Sequence, residues 1–385
     1  MKVCFICSEY PPAPHGGIGT VTQILARALV RKGHSVKVIG ASNDEHLPDY
    51  EADQGVEVWR MRVRQHRYGW MRTRYEIFSR ISTWVRNREV DLVEAPDWEG
   101  WSAGWPKLPV PVIIRLHGSS SYFSQELGGH LRKSTFWIER AALRRCDFYC
   151  SVSQYTAERT RLLFGLTDKP SAVIYNSVEV SEPIRNNAKS RNRVIFTGTL
   201  TAKKGIVSLA QAWPVVRKNH PEAELHIFGK DGLAENGTSM REFVSSNFLR
   251  DHMASVHFHG HQPRAQVLDH LRSARVAIFP SYAEAFAMAP LEAMAEGCAT
   301  IYSGMGSGPE LIEHGRDGLL IDPAKPADIA ASLCAIIEND TLAEKLGNAG
   351  RERVRKNFCS DRILQMNEDF YGNCMGEFLN RARKN

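Results

Sequence analysis

Long apolar runs are missing from this chain. No stretch reaches the ~18 residues that suggest a membrane-spanning helix. A signal-peptide layout is missing too, because the N-terminus passes straight into Lys2-Val-Cys-Phe-Ile-Cys7. The expected location is the cytoplasm. Metal-ligand and disulfide spacings are also lacking among the eight cysteines. Cys4 and Cys7 form a C-x-x-C, but on a strand those positions point to opposite faces, so they do not read as a redox pair. The eight read as small buried hydrophobes in a reducing compartment. No short repeat and no low-complexity segment occurs. Charge of one sign is only slightly in excess, at +6 over 385 residues, and no nucleic-acid-binding motif accompanies it.

What is present is alternation. Strand-like and helix-like runs succeed one another from end to end, the pattern of stacked βαβ units and an α/β fold. Strand candidates in the first half are 2–8, 35–41, 56–63, 91–95, 110–116, 147–153 and 172–175. In the second half they are 194–197, 224–228, 256–259, 276–279, 300–302 and 318–321. Residues Ile18, Val21, Ile24, Leu25, Ala28 and Leu29 fall on one face of the first helix. The polar stretch 179–193 holds Pro183 and several charges and reads as a linker. From Ala327 to about Arg381 the sequence reads as helical throughout. The expected division is an N-terminal Rossmann-like domain over 1–180, a second over 181–360, and a C-terminal helix over 361–385 that packs back on the first. Two such domains facing each other would enclose an interdomain cleft.

The charge is unevenly placed. Between Trp59 and Arg88 there are nine arginines and one acid, Glu76, interleaved with Trp59, Tyr68, Trp70, Tyr75, Phe78 and Trp84. A cationic, aromatic face for an anionic membrane or acceptor is one reading. The other is a helix whose core stripe is Met71, Tyr75, Phe78, Ile81 and Val85, with arginines on its wet side. The stripe favours the helix; the arginine excess leaves both open.

Four stretches could carry chemistry. Pro11-Pro-Ala-Pro-His-Gly-Gly-Ile-Gly19 is a stiffened, glycine-rich loop before a helix. Its Gly17-Ile-Gly19-Thr-Val-Thr22 is a broken dinucleotide fingerprint, and a tight turn accounts for it equally well. His117 closes a strand and points into the crevice where α/β sheets bind ligands. Thr197-Gly-Thr-Leu-Thr-Ala-Lys-Lys-Gly205 joins a glycine turn to two lysines at a helix N-terminus, which can hold a pyrophosphate. Glu284-Ala-Phe-Ala-Met-Ala-Pro-Leu-Glu292 sets two carboxylates around a strand-to-helix junction. The helix amides between them suit a phosphate, so the pair flanks an anion cradle fit for a phosphorylated polyol. No D-x-D occurs, which leaves diphosphate charge to lysines and helix dipoles rather than to a metal.

In this order and spacing, the four stretches resemble the glycosyltransferases of the GT-B fold, most closely the retaining group classed as glycosyltransferase family 4. The resemblance covers nearly the whole chain. It implies two facing Rossmann-like domains and transfer of a hexose from a nucleotide sugar, with no cofactor and no metal. Lys204 would contact the donor diphosphate, Gly16 and Gly17 would approach diphosphate or acceptor, and His117 would contact the transferred sugar. Glu284 would sit beside the reacting sugar and Glu292 would bond the ribose. The amides of Ala285, Phe286, Ala287 and Met288 would bind sugar hydroxyls and phosphate. The strand end around Phe258 would lie near the base.

The chain departs from the family pattern where Thr199 replaces an arginine, with Lys203 as the available substitute, and where Ala287 replaces a glycine. The loop Ser303-Gly-Met-Gly-Ser-Gly-Pro-Glu310 departs as well. These changes are expected to tune donor choice. UDP-glucose is the expected donor and GDP-mannose the alternative. The acceptor would be a growing bacterial polysaccharide or a lipid-linked sugar, the latter met by the 59–88 region at the inner face of the plasma membrane. A dehydrogenase using the first loop lacks its third glycine. Nucleotide-sugar epimerases and phosphorylases of similar two-domain shape are closer rivals, although no cofactor lysine for a phosphorylase is found. A non-catalytic carbohydrate-binding homologue is a further rival.

Overall fold

A computed structural model describes residues 1–14, 16–63, 69–166, 171–180 and 190–384. The chain divides into two compact units, Met1–Ser177 with Ser360–Asn385, and Val178–Cys359.

The first unit carries strands β1 (Lys2–Ile6), β2 (Ser35–Ser42), β3 (Tyr50–Asp53), β4 (Val56–Arg62), β5 (Leu92–Pro96), β6 (Val112–Leu116), β7 (Phe148–Ser151) and β8 (Ser171–Val173). Its helices are α1 (Gly17–Arg31), α2 (Gly69–Arg86), α3 (Ser120–Glu126), α4 (Lys133–Arg145) and α5 (Gln154–Phe164). The second unit carries β9 (Ser190–Thr197), β10 (Glu224–Phe228), β11 (Val256–Gly260), β12 (Ala274–Phe279), β13 (Ala299–Ser303) and β14 (Leu319–Ile321). Its helices are α6 (Ile206–Asn219), α7 (Met240–Asn247), α8 (Arg264–Ser273), α9 (Met288–Ala295), α10 (Gly308–Leu311), α11 (Pro326–Glu338) and α12 (Asp340–Asn357), and α13 (Ser360–Lys384) returns to the first unit.

The first sheet runs β3-β4-β2-β1-β5-β6-β7-β8 and the second β11-β10-β9-β12-β13-β14. Every pairing is parallel except β3 with β4. Each order reverses once, between β1 and β5 in the first unit and between β9 and β12 in the second. At such a reversal the flanking loops part and leave a crevice beyond the strands' carboxyl ends. The sheets bury both faces, so their strands are runs of Val, Ile, Leu and Phe. Cys4 and Cys7 pack into different hydrophobic clusters, on opposite faces of the first sheet. All eight cysteines are free.

Four expectations change. The 179–193 linker is wrong at its end, because residues from Ser190 already belong to β9. The charged start of that strand is held by Arg191 bonding Asp340 at 3.0 Å and Arg193 donating to Ser273 at 3.0 Å. Residues 181–189, including Pro183, lie outside the described residues. The C-terminal stretch is helical as expected but not without interruption: it breaks into three helices. Asn339 opens α12 by accepting from the Leu342 amide at 2.9 Å, and α12 ends at Asn357. In α2 the buried side is Thr73, Ile77, Ile81, Trp84 and Val85, whereas Trp70, Met71 and Tyr75 are exposed. Of the interleaved residues, Arg64, Arg67 and Tyr68 lie outside the described set. Finally, β3 was unforeseen: Tyr-Glu-Ala-Asp has no apolar alternation, because it is a short antiparallel edge strand.

Helix α13 joins the first unit through a buried polar network. Arg115 on β6 donates to both oxygens of Glu94 on β5, at 2.8 and 2.9 Å, and to Asn367 at 2.5 Å. Tyr371 adds its hydroxyl to Glu94 at 2.7 Å. Among the described residues, no helix is long and apolar enough to cross a membrane.

Candidate functional site

The second unit's crevice is built by two loops far apart in sequence. After β9 the chain turns through a short 3-10 segment, Ala202–Lys204, and enters α6 through Gly205. Gly205 has a φ of +73°, and a Cβ there would lie 1.8 Å from the Pro280 carbonyl oxygen. Only glycine allows this approach, which presses the lysine turn onto the loop leaving β12. The Tyr282 amide then donates to the Lys203 carbonyl at 2.8 Å. Tyr282 is itself fixed, its hydroxyl lying 2.9 Å from the Ser208 hydroxyl and donating to the Pro323 carbonyl at 2.9 Å.

This backbone clamp brings Lys204 to Glu284. The ammonium donates to Glu284 Oε1 at 2.5 Å. The pair is not sealed: the lysine side chain is 32% exposed and the carboxylate 13%. Burial pushes the Glu284 carboxyl up, but the charges of Lys204 and Lys203 and bonds from Lys204 and Ser281 outweigh it and hold it below its ordinary value. Lys203 moves the other way. Burial pushes its ammonium down to about 8, against the pull of Glu284 and with the repulsion of Lys204. The crevice thus holds a carboxylate kept ionised beside two lysines, one of which burial brings down to about 8.

The loop after Glu284 runs through Ala285 and Phe286 to Ala287, which caps α9 with an extended backbone and no side-chain bond. Met288 and Ala289 open the helix and Pro290 follows within the first turn, where a missing N–H costs nothing. Glu292 lies one turn further on. Arg264 of α8 donates to its Oε1 at 2.6 Å. Burial raises the Glu292 carboxyl against the opposing charge of Arg264.

Thr199 is exposed beyond β9. Beside it stands Lys230, beyond the end of β10, whose carbonyl accepts from the Leu200 amide at 2.9 Å. Lys230 is exposed and forms no ion pair with the described residues. Phe258 on β11 packs against the main core of this unit, with the Arg241 guanidinium 5.0 Å from its ring centre.

The first unit's crevice is acidic. Gly16, the residue before α1, gives its amide to Glu9 Oε2 at 3.0 Å, and Gly17 begins the helix. His15 lies outside the described residues. Beyond β5, Asp97 accepts from the amides of His117 at 2.9 Å and Gly118 at 3.2 Å. Burial pushes the Asp97 carboxyl up to about 7, tempered by the His117 amide. Glu99 is raised by burial, with Glu9 adding repulsion. The His117 imidazole is pushed down to about 3 by burial and by Arg115, so it is neutral at physiological pH.

The structure therefore brings Lys203, Lys204 and Glu284 together in the second unit, with Glu292 one helical turn along. Gly16, Gly17 and His117 belong to the first unit, where the amides of Gly16 and His117 serve different carboxylates, Glu9 and Asp97. Sequence reading missed Glu9, Asp97, Lys230 and Arg264. Lys230 carried a signal, since Gly229-Lys-Asp-Gly232 is a second glycine turn after a strand. Arg264 carried none, being 28 positions from its partner.

Comparison with known proteins bears on this geometry. Residues 178–353 match the family of glycosyl transferases group 1, and residues 15–182 match Glycosyltransferase Family 4. Glycogen synthase of Mycobacterium tuberculosis is 24% identical over 93% of this chain and 91% of its own. Sucrose-phosphate synthase from Thermosynechococcus elongatus superposes with a TM-score of 0.82, at 20% identity, over 97% of this chain and 99% of that one. Anabaena HepE, solved with UDP and glucose, superposes with a TM-score of 0.72 at 17% identity, over 97% of this chain and 100% of its own. These superpositions establish the GT-B fold with its two Rossmann-like sheets. With both matches in chain order, the chain belongs to the group 1, family 4 type of glycosyltransferases.

Proposed function

We propose that the protein is a retaining hexosyltransferase that uses a nucleoside diphosphate sugar, with UDP-glucose as donor, and needs no metal for the transfer. The observation that carries this reading is the Lys204–Glu284 pair at the β9/β12 reversal, beside the first turn of α9. A diphosphate placed there would meet Lys204, Lys203 and the amides of Ala287 and Met288. Lys230 supplies the further cation that Thr199 does not. Two or three lysines and a helix terminus can offset the departing charge, which is the task a divalent ion performs in other transferases. The bound UDP and glucose of the Anabaena protein support the choice of donor.

In the proposed reaction the bond between the sugar's anomeric carbon and the diphosphate oxygen breaks. The acceptor hydroxyl attacks from the face that the diphosphate leaves, and its proton passes to a phosphate oxygen. Glu284, held ionised by the lysines, stabilises the oxocarbenium-like sugar. When the donor arrives, Lys204 exchanges part of its bond to Glu284 for a phosphate oxygen. Catalysis is mostly positioning and electrostatics. Glu292 keeps Oε2 for the ribose while Arg264 holds Oε1.

The acceptor is proposed to be a carbohydrate or lipid-linked sugar in polysaccharide synthesis. Exposed Trp70, Met71 and Tyr75 on α2, among Arg72, Arg74 and Arg80, favour the lipid-linked form. Sedimentation with anionic vesicles tests this: equal binding to neutral vesicles contradicts it. The transfer itself is tested with UDP-glucose in EDTA, reading the anomeric configuration of the product by NMR. An α-linked product supports the reading. A β-linked product, or transfer only from GDP-mannose, replaces it.

A further inference from the structure

The second sheet carries a cluster of imidazoles that the transfer does not use. Glu224 and His226 lie two apart on β10, on one side of the sheet. The register sets His226 directly beside His257 on the edge strand β11, and His259 follows on the same face. His226 is 8% exposed. Its Nδ1 is 3.0 Å from His259 Nε2, and its Nε2 is 3.3 Å from Glu224 Oε2. Donor atoms of Glu224, His226 and His257 all lie within 4.8 Å of one another. Phe228 stacks on His259, and His270 of α8 packs against it at a tilt. A sheet face filled by imidazoles forgoes the stability that aliphatic side chains would give.

We propose that Glu224, His226 and His257 form a binding site for a divalent transition ion of the zinc class. Two imidazoles and a carboxylate are a donor set that zinc accepts, with the remaining position left to water. Zinc–ligand bonds of ~2.0–2.2 Å require donor atoms to sit a little over 3 Å apart, and the Glu224–His226 separation of 3.3 Å already meets this. His259 supplies the outer contact that orients a metal-bound imidazole. Without an ion, His226 Nε2–H donates to Glu224 and Nδ1 accepts from His259. With an ion, the tautomer reverses: Nε2 gives its lone pair to the metal and Nδ1–H donates to His259. Glu224 is half exposed, which leaves an entry path from solvent. Arg193 on β9, opposite Glu224 in the register, is the opposing charge; its Nη1 is engaged by Ser273 and the Glu224 carboxylate offsets it.

Glu224 opens β10, so the site lies toward the amino end of the strand, away from the lysine turn at the carboxyl ends. The ion would cross-link the edge strand β11 to β10, a structural role separate from catalysis.

The test uses the full-length protein, freed of metal by EDTA and exchanged into chelator-free buffer. Titration with Co²⁺ should give one equivalent of an intense visible band, displaced by Zn²⁺, and Zn²⁺ should raise Tm. His257→Gln should abolish the band. His259→Gln, which acts only through His226, should weaken binding by about 10- to 100-fold. Glu224→Gln, at a half-exposed position, should weaken it too and serves if His257→Gln does not fold. No stoichiometric band in the unaltered protein, or a band unchanged in both His257→Gln and Glu224→Gln, overturns the proposal.

Discussion

The two sheets share one topology at their reversal points, yet their crevices carry opposite charge. Beyond β1 and β5 stand Glu9, Asp97 and Glu99; beyond β9 and β12 stand Lys203 and Lys204 with the carboxylate of Glu284, and beyond β10 stands Lys230. Two acids of the first unit are engaged by main-chain amides: Glu9 by Gly16, and Asp97 by His117 and Gly118. In the second unit Lys204 bonds a side chain, Glu284, that a ligand can displace. The fold offers a crevice in both places, and the loop residues decide what it accepts. A carboxylate-lined crevice suits the hydroxyls of a sugar acceptor. A lysine-lined crevice at helix N-termini suits a diphosphate.

The comparison can be broken at its cationic side first. Lys204→Ala and Glu284→Gln should each lower kcat/KM by about 100- to 1,000-fold, the range seen when one preorganised charge-stabilising group is lost. Circular dichroism should show the fold intact, because the pair is partly exposed. Full activity in either variant removes the role assigned to that residue. On the acidic side, Glu9→Ala should raise the acceptor KM by about 10- to 100-fold, matching the ~1.5–3 kcal/mol of a hydrogen bond to a charged group, while donor affinity is unchanged. A fall in donor affinity instead would erase the division of labour between the crevices.

A pH series sharpens the contrast with a smaller effect. Lys203 has a folded value of about 8 against 10.5 when unperturbed. Donor affinity should decline as pH rises through about 8, where this cation is lost. Stability responds in the opposite sense. Between these two values the unfolded chain holds a proton that the folded chain has released, so this residue's contribution stabilises the protein as pH rises. Lys203→Met should flatten both trends. A decline in affinity that survives the substitution assigns it to another group.

Most strands were legible because parallel strands buried on both faces are short, nearly unbroken apolar runs. The failures have local causes. β3 is too polar and short to show alternation, and the start of β9 is charged because an ion pair to Asp340 and a hydrogen bond to Ser273, rather than burial, hold it. The break at Asn339 is a side-chain cap inside a helical pattern, visible only once its bond to Leu342 is seen. Lys204 and Glu284 were each legible from their place after a strand. Their contact was not, since it depends on Gly205 meeting Pro280 and on Tyr282 bonding Lys203. Arg264 and the histidine cluster were illegible for a like reason: strand register and helix packing assemble them, and no spacing along the chain announces either.

The most direct test of the central claim is donor binding by thermal shift in EDTA, across UDP, GDP and ADP sugars, with the unaltered protein and Lys204→Ala side by side. A ligand that binds only the folded state raises Tm by mass action. The account predicts that UDP-glucose raises Tm in the unaltered protein without metal, and that the rise is largely lost in Lys204→Ala. An equal rise in both proteins, or none until a divalent ion is added, would contradict the lysine-based diphosphate site.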